Sequence, residues 1–296
     1  MLLQERMKAY HFSPSERIVI DYILDKQELI RDYSTKMIAD ETYTSPSLLI
    51  RISKKLDYSG WSELKIAFLN EVQYLNNHFK TIDPNYPFTD NDNITTIAAK
   101  IGQLQIESIE DTLSLIHHDA LQKTVQIMRE SDEIRLFSIN NLNYIGEEFV
   151  YKLNRINMRA SIFPNSDNML QHAAMTTSNQ CAVCISYSGE TPNLLKTVAL
   201  AKDNGVPIIA ITSIGNNSLS RLSDVVLHVS TREKTYSKIS AFSSLQSMHT
   251  ILDILFSCLF SLNYNENLEY KLAIASKVEN NRIIDNSILE EETSDL

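Results

Sequence analysis

The 296-residue chain is long enough for two domains, and 43% hydrophobic with 22% charged residues is the composition of an ordinary globular protein. No uncharged apolar run approaches the ~18 residues of a membrane span; the nearest, "TILDILFSCLF", is short and carries Asp253, and "MLLQERMKAYHF" has no signal-peptide core, so a cytoplasmic protein with no membrane partner is expected. The net charge of −10 argues against a chain that coats nucleic acid, yet residues 1–80 hold 11 basic and 11 acidic residues, leaving 16 basic and 26 acidic for the rest, which permits a local basic face on the N-terminal part.

Up to about Gln73 the chain reads as helical. "SPSERIVIDYILDK" opens with Ser13-Pro14 or Ser15 as cap, and Ile18, Val19, Tyr22 and Ile23 fall on one helical face. "STKMIADE" is a short second helix, "TYT" a tight turn, "SPSLLIRISKKL" a third helix and "GWSELKIAFLNEVQYL" a fourth. The polar stretch "NNHFKTIDPNYPFTDNDN", residues 76–93, holds two prolines and reads as a linker. Two helices follow, "ITTIAAKIGQLQIESIEDTLSLI" and "DALQKTVQIMRES". Short apolar runs then alternate with helical segments: "EIRLFSI", "RASIF", "CAVCIS", "PIIAIT" and "DVVLHV". Fully apolar strands alternating with helices predict an α/β fold with a parallel five-stranded sheet covered on both faces, a three-layer α/β/α domain behind an all-α N-terminal domain. A long helix from about Phe242 to Leu262 closes it, and the acidic end "EEETSDL" is expected to fray.

On the third helix, Leu48, Leu49, Ile52 and Leu56 cluster on one side and Ser47, Arg51, Lys54 and Lys55 on the other. Ser45 suits the N-cap and Pro46 the first helical position. A short helix, a turn and a capped helix with a basic outer face is the helix-turn-helix arrangement, whose second helix lies in the major groove. Ser45, Ser47, Leu48 and Arg51 are then expected near base edges, and Lys54 and Lys55 near phosphates. A helical dimerisation domain with a solvated Lys/Arg face has the same periodicity.

In "ISYSGETPNLL", a buried strand gives way to three small hydroxyl-bearing residues and then a helix. Thr191 fits its N-cap and Pro192 its first turn. Helix N-termini present free N–H groups and a partial positive charge, which attract phosphate. Gly189 lets the backbone approach closely, and Ser186, Ser188 and Thr191 add hydroxyl donors, at the strand edge where open α/β sheets bind ligands. A polar turn with an ordinary threonine cap is the plainer reading of the same residues.

Together these stretches resemble the RpiR/MurR family of bacterial transcriptional regulators, with an N-terminal helix-turn-helix and a C-terminal SIS (sugar isomerase) domain. "SPSERIVIDYIL" and "SPSLLIRISKKLDYSGWSELK" carry the likeness in the first part. "ISYSGETPNLLKTVALAKDNGVPIIAITS", "SLSRLSDVVLHVS" and "LDILF" carry it in the second. The resemblance implies residues 1–75 as DNA-binding domain, 76–93 as linker, 94–265 as SIS domain and 266–296 as tail. It implies a regulator of carbohydrate metabolism genes that binds operator DNA, senses a phosphorylated sugar, and pairs through its SIS domains as a homodimer or tetramer. By match to the motif, Ser186, Ser188 and Thr191 hold the phosphate, with Tyr187 and Glu190 adjoining it. The Gly-rich turn expected after the first SIS strand reads "FSINNLNYIG" here: Ser138 and Asn140 replace glycines and Leu142 the phosphate-binding serine, leaving Asn141 and Asn143 as replacement donors.

A sugar-phosphate isomerase and an assembly module without DNA binding remain as alternatives. An isomerase needs a general base; Glu233, His228, His249 and Glu190 are available, but no motif marks one as catalytic. Glu233, beyond a strand end, either faces the ligand or pairs with Arg232 or Lys234. Cys181 and Cys184 form a C-x-x-C inside a strand, where residues three apart face opposite ways. With no second pair at zinc spacing, core packing is expected, and neither a metal nor a cofactor is.

Overall fold

Three serines start three helices. Ser13 is the N-cap of α2 (Pro14–Lys26), Ser34 of α3 (Thr35–Glu41) and Ser45 of α4 (Pro46–Lys55). Pro14 and Pro46 occupy first-turn positions, where a missing N–H costs nothing. The Ser34 hydroxyl accepts from the Met37 amide at 3.1 Å, and the Glu16 carboxylate reaches back to the Ser13 amide at 2.8 Å, both satisfying N–H groups that a helix start leaves open. The computed structural model describes residues 2–77 and 82–279. It divides into one compact unit of Met1–Leu115, Ser213–Asn217 and Ser230–Ser243, and another of Ile116–Thr212, Ser218–Val229 and Ser244–Leu296.

In the first unit, α2, α3 and α4 join α1 (Leu3–Ala9), a 3-10 turn (Gln27–Asp32), α5 (Trp61–Asn77) and α6 (Ile94–Leu115). Leu3, Met7, Ile20, Ile38, Leu49, Ile52, Trp61 and Phe68 lie in one hydrophobic cluster. The inner face of α2 is Glu16, Val19, Ile20 and Ile23. Ile18, expected inside, is 54% exposed; the inward stripe is one position round from the one predicted. On α6 the inward face is polar, with Glu107, Ser108, Asp111 and Thr112 all buried. Arg232 answers them, its guanidinium 2.9 Å from Glu107 and 3.7 Å from Asp111.

In the second unit, β1 (Glu133–Phe137), β2 (Ala160–Ile162), β3 (Gln180–Ser186), β4 (Ile208–Ser213) and β5 (Val225–Val229) form one sheet in the order β2-β1-β3-β4-β5. The registers of β1 with β2, β1 with β3 and β3 with β4 are parallel. The helices between are α7 (His118–Glu130), α8 (Leu142–Asn154), α9 (Ser166–Ala174), α10 (Pro192–Asp203) and α11 (Ser218–Leu222), followed by α12 (Phe242–Leu262) and α13 (Tyr264–Glu279). Alternate residues of β3 serve two cores. Cys181, Val183 and Ile185 pack with Phe149, Ile251 and Leu255 from α8 and α12, while Ala182 and Cys184 pack with Ala173, Leu194 and Val198 from α9 and α10. Burial on both faces is why β3 reads as continuously apolar. The two thiols thus lie on opposite faces as expected, and burial pushes that of Cys181 up to about 11 and that of Cys184 higher still.

α12 is long and apolar enough to cross a membrane by length and composition alone. One face of it, Met248, Ile251, Leu252, Leu255 and Leu259, is buried against the sheet. α1, α11 and α13 went unforeseen; α13 starts two residues before the stretch 266–296 read as a tail and runs into it, and the end "EEETSDL" falls outside the described residues.

Candidate functional site: a basic helix face and a hydroxyl loop

The turn between α3 and α4 is closed by the Thr42 hydroxyl, which donates to Ile38 O at 2.6 Å, and carries Tyr43 in left-handed conformation, φ 52°. α4 leaves this turn with Leu48, Leu49 and Ile52 buried. Ser45, Ser47, Arg51 and Lys54 are exposed, and the Ser45 and Ser47 hydroxyls are 2.8 Å apart. Leu48 is the departure: at 5% exposure it belongs to the core and presents no side chain to a groove. Arg51 and Lys55 share a partner that the sequence did not reveal. Arg51 Nε lies 3.2 Å from Glu16 Oε1, and Lys55 Nζ 2.8 Å from Glu16 Oε2. Burial pushes the Glu16 carboxyl up, but hydrogen bonds from Lys55 and Ser13, with the Lys55 charge, outweigh it and bring the pKa from 4.5 down to about 2.

In the second unit, Thr191 is the N-cap of α10 with Pro192 in the first turn, yet its side chain makes no capping bond. Its hydroxyl lies instead 3.0 Å from that of Ser186. The Gly189 amide donates to Ser186 Oγ and the Glu190 amide to Ser188 Oγ, each at 3.2 Å. Gly189 has φ 66°, where a side chain is strained. Tyr187 is half-buried and packs on the core, its carbonyl accepting from the Thr212 hydroxyl at 3.4 Å. Glu190 turns away from the loop, and its carboxylate accepts the Ser218 amide at 2.8 Å, at the start of α11. Burial raises its pKa, but the Ser218 hydrogen bonds and the Arg221 charge leave it below the usual carboxylate value.

After β1, Asn140 takes left-handed backbone, φ 59°, in place of an expected glycine. Asn143 is buried and committed: it accepts from the Ser138 hydroxyl at 2.7 Å and donates to Pro164 O at 3.3 Å. Asn141 is exposed, and Leu142 packs against the core. The unit also holds a cavity of about 380 Å³ beside Arg129, Asn157 and Glu266, away from these loops.

Glu233 is buried in the first unit, and the pairing expected with Arg232 or Lys234 gives way to others. Lys238 Nζ lies 2.7 Å from its carboxylate, and the Ser243 amide, in the first turn of α12, donates to it at 2.5 Å. The same segment grips part of the expected linker, of which residues 78–81 lie outside the described residues. Asn85 Oδ1 accepts the Lys234 amide at 2.7 Å and Asn85 O the Ile239 amide at 2.9 Å. Arg232 donates to Ile82 O at 3.2 Å, and the Tyr86 and Ser237 hydroxyls are 2.9 Å apart. His228 is half-buried in β5. His249 joins Glu148 and Asp253 in a half-exposed cluster that has the donors for a metal ion. There the Lys152 ammonium lies 2.6 Å from Glu148 and 2.5 Å from Asp253, so a cation already bridges the carboxylates.

Comparison with known proteins gives this geometry a context. Residues 1–74 match the helix-turn-helix domain of the rpiR family, and residues 127–258 match the SIS domain. An HTH-type transcriptional regulator of Caldanaerobacter subterraneus is 26% identical over 281 residues, covering 95% of this chain and 97% of its own. The Bacillus subtilis HTH-type transcriptional regulator YbbH is 24% identical over 258 residues, 87% and 89% of the two chains. Among solved structures, the Vibrio vulnificus NanR protein complexed with ManNAc-6P superposes with a TM-score of 0.59 at 23% identity, covering 96% of this chain and all of that one. The sugar isomerase domain of an RpiR transcription factor from Sphaerobacter thermophilus gives 0.54 at 16% identity, over 60% and 97%. With both domains matched in the same order, the chain belongs to the RpiR family of HTH-type transcriptional regulators that carry a SIS domain.

Proposed function

We propose that the protein is a cytoplasmic, ligand-responsive regulator, without catalytic activity, of genes for carbohydrate use. Residues 1–75 read operator DNA through α4, residues 94–265 sense a phosphorylated sugar, and 76–93 join them. Two or four copies associate through their SIS domains. The observation that carries the sensing half is the 186–191 loop: Ser186 and Thr191 hydroxyls 3.0 Å apart, Gly189 at φ 66°, and an α10 start that Thr191 leaves uncapped. Neutral donors and a helix dipole hold a phosphate reversibly. Ser188 and Thr191 contribute hydroxyls; Glu190 shapes the loop from its place against α11. Asn143, already engaged, orders the neighbouring turn, while Asn141 is left to face a ligand. That NanR was solved with ManNAc-6P, a phosphosugar, agrees with this class of effector.

The test is thermal melting of the full chain against a panel of phosphosugars, ManNAc-6P among them, and their unphosphorylated parents. At 100-fold excess over Kd, a true effector stabilises by about 2.7 kcal/mol, a rise of roughly 5–10 °C, and its parent sugar does nothing. Ser188→Ala weakens binding about tenfold or more, as expected for one lost hydrogen bond to a charged group. A flat panel removes the sensing role, and turnover of any member replaces it with isomerase chemistry.

A further inference from the structure

Arg51 is 63% exposed on the outer face of α4, yet it is not a free surface arginine. Its Nε points back to Glu16, whose side chain is 1% exposed. Among the described residues the structure gives the two terminal guanidinium nitrogens no protein partner. The carboxylate that does this is itself fixed. Glu16 sits in the first turn of α2, where its other oxygen accepts both the Ser13 amide and the Lys55 ammonium, each at 2.8 Å. The Lys55 charge balances that of Glu16, so the Arg51 charge is left for an outside partner. Bidentate reading of a guanine edge uses two N–H groups of a guanidinium in a fixed fork. An arginine tied by Nε presents such a fork with its direction already set, and loses less side-chain freedom on binding.

We infer that Glu16 is a positioning residue of the DNA-reading face, holding Arg51 by Nε so that its terminal N–H pair meets a guanine edge in one orientation. The inference rests on α4 being the reading helix. It gives Lys55 a role inside the protein in place of the phosphate contact expected from its helical position.

The experiment uses the full chain as wild type, Glu16→Gln, Arg51→Ala and the double variant, each checked by thermal melting. The probes are the duplex that wild type enriches from a random-sequence pool and a scrambled duplex of equal composition. Glu16→Gln is expected to lower the ratio of the two affinities about tenfold, the discrimination carried by one bidentate pair. In the Arg51→Ala background the same change has no further effect on the ratio, because Glu16 acts through Arg51. A merely structural loss would weaken both duplexes alike and add to the Arg51 effect, and that result overturns the inference. So does tighter binding of both duplexes by Glu16→Gln, which would make Glu16 a competitor of phosphate. Should Glu16→Gln not fold, Arg51→Lys decides: it keeps a cation beside Glu16 but lacks the fork, so an unchanged ratio refutes the inference. Wild type enriching no duplex, or Arg51→Ala binding both probes as wild type does, refutes the reading of α4 itself.

Discussion

Glu16 shows how one buried charge can tie local structure to stability. Its folded pKa, about 2, lies below the ordinary 4.5, so it stabilises the fold above pH 4.5 and loses that contribution as pH falls towards 2. The shift corresponds to ~3 kcal/mol at most. Acid melting curves of wild type and Glu16→Gln are expected to converge across that window and to run parallel above it. Arg232 is the opposite case, a cation holding two buried carboxylates, Glu107 and Asp111. Arg232→Met takes the guanidinium away from both and is expected to cost about 3–5 kcal/mol, a fall in Tm on the order of 10 °C, which calorimetry measures. Neither pairing was legible in the sequence. Their partners stand 35 and 125 residues apart, and a carboxylate on an amphipathic helix looks the same whether it faces water or a distant arginine.

At the scale of elements, the segment 230–243 does three things. It leaves the end of β5, its Glu233 accepts an amide at the start of α12, and its backbone clasps Asn85. The chain leaving β5 and the hydrogen bonds to Asn85 thus meet in one segment. Asn85→Ala removes the side-chain part of the clasp. It is expected to leave effector binding and duplex binding intact when measured separately, while the effect of one on the other shrinks towards none; coupling at wild-type strength would count against the clasp. The strands and most helices were readable because each carries a period: burial on both faces made β3 apolar throughout, and "SPS" marked two helix starts, naming Ser45 as cap but leaving Ser13 and Ser15 both open. α13 and α1 lack such punctuation, and the face of α2 was misjudged because Ile18 and Ile20 look equally apolar until the neighbouring helices choose between them. The hydroxyl loop was legible as residue types, but not the turning of Glu190 to Ser218 or of Asn143 to Pro164.

For the whole molecule, a regulator that senses and reads must obey linkage: whatever factor the effector applies to operator affinity, the operator applies to effector affinity. Calorimetric titration of effector with and without the duplex, and of duplex with and without effector, is expected to close to one factor, typically 5–150-fold. The middle strand of the sheet offers a separate readout. With Cys181 and Cys184 sealed on opposite sides of β3 and held as thiols, and Cys258 half-buried on α12, a thiol-reactive dye has at most one ready target on the intact chain. Uptake of the second and third equivalents then acts as a stopwatch for the parting of the two layers of helices from the sheet, and an effector that tightens the fold should slow it.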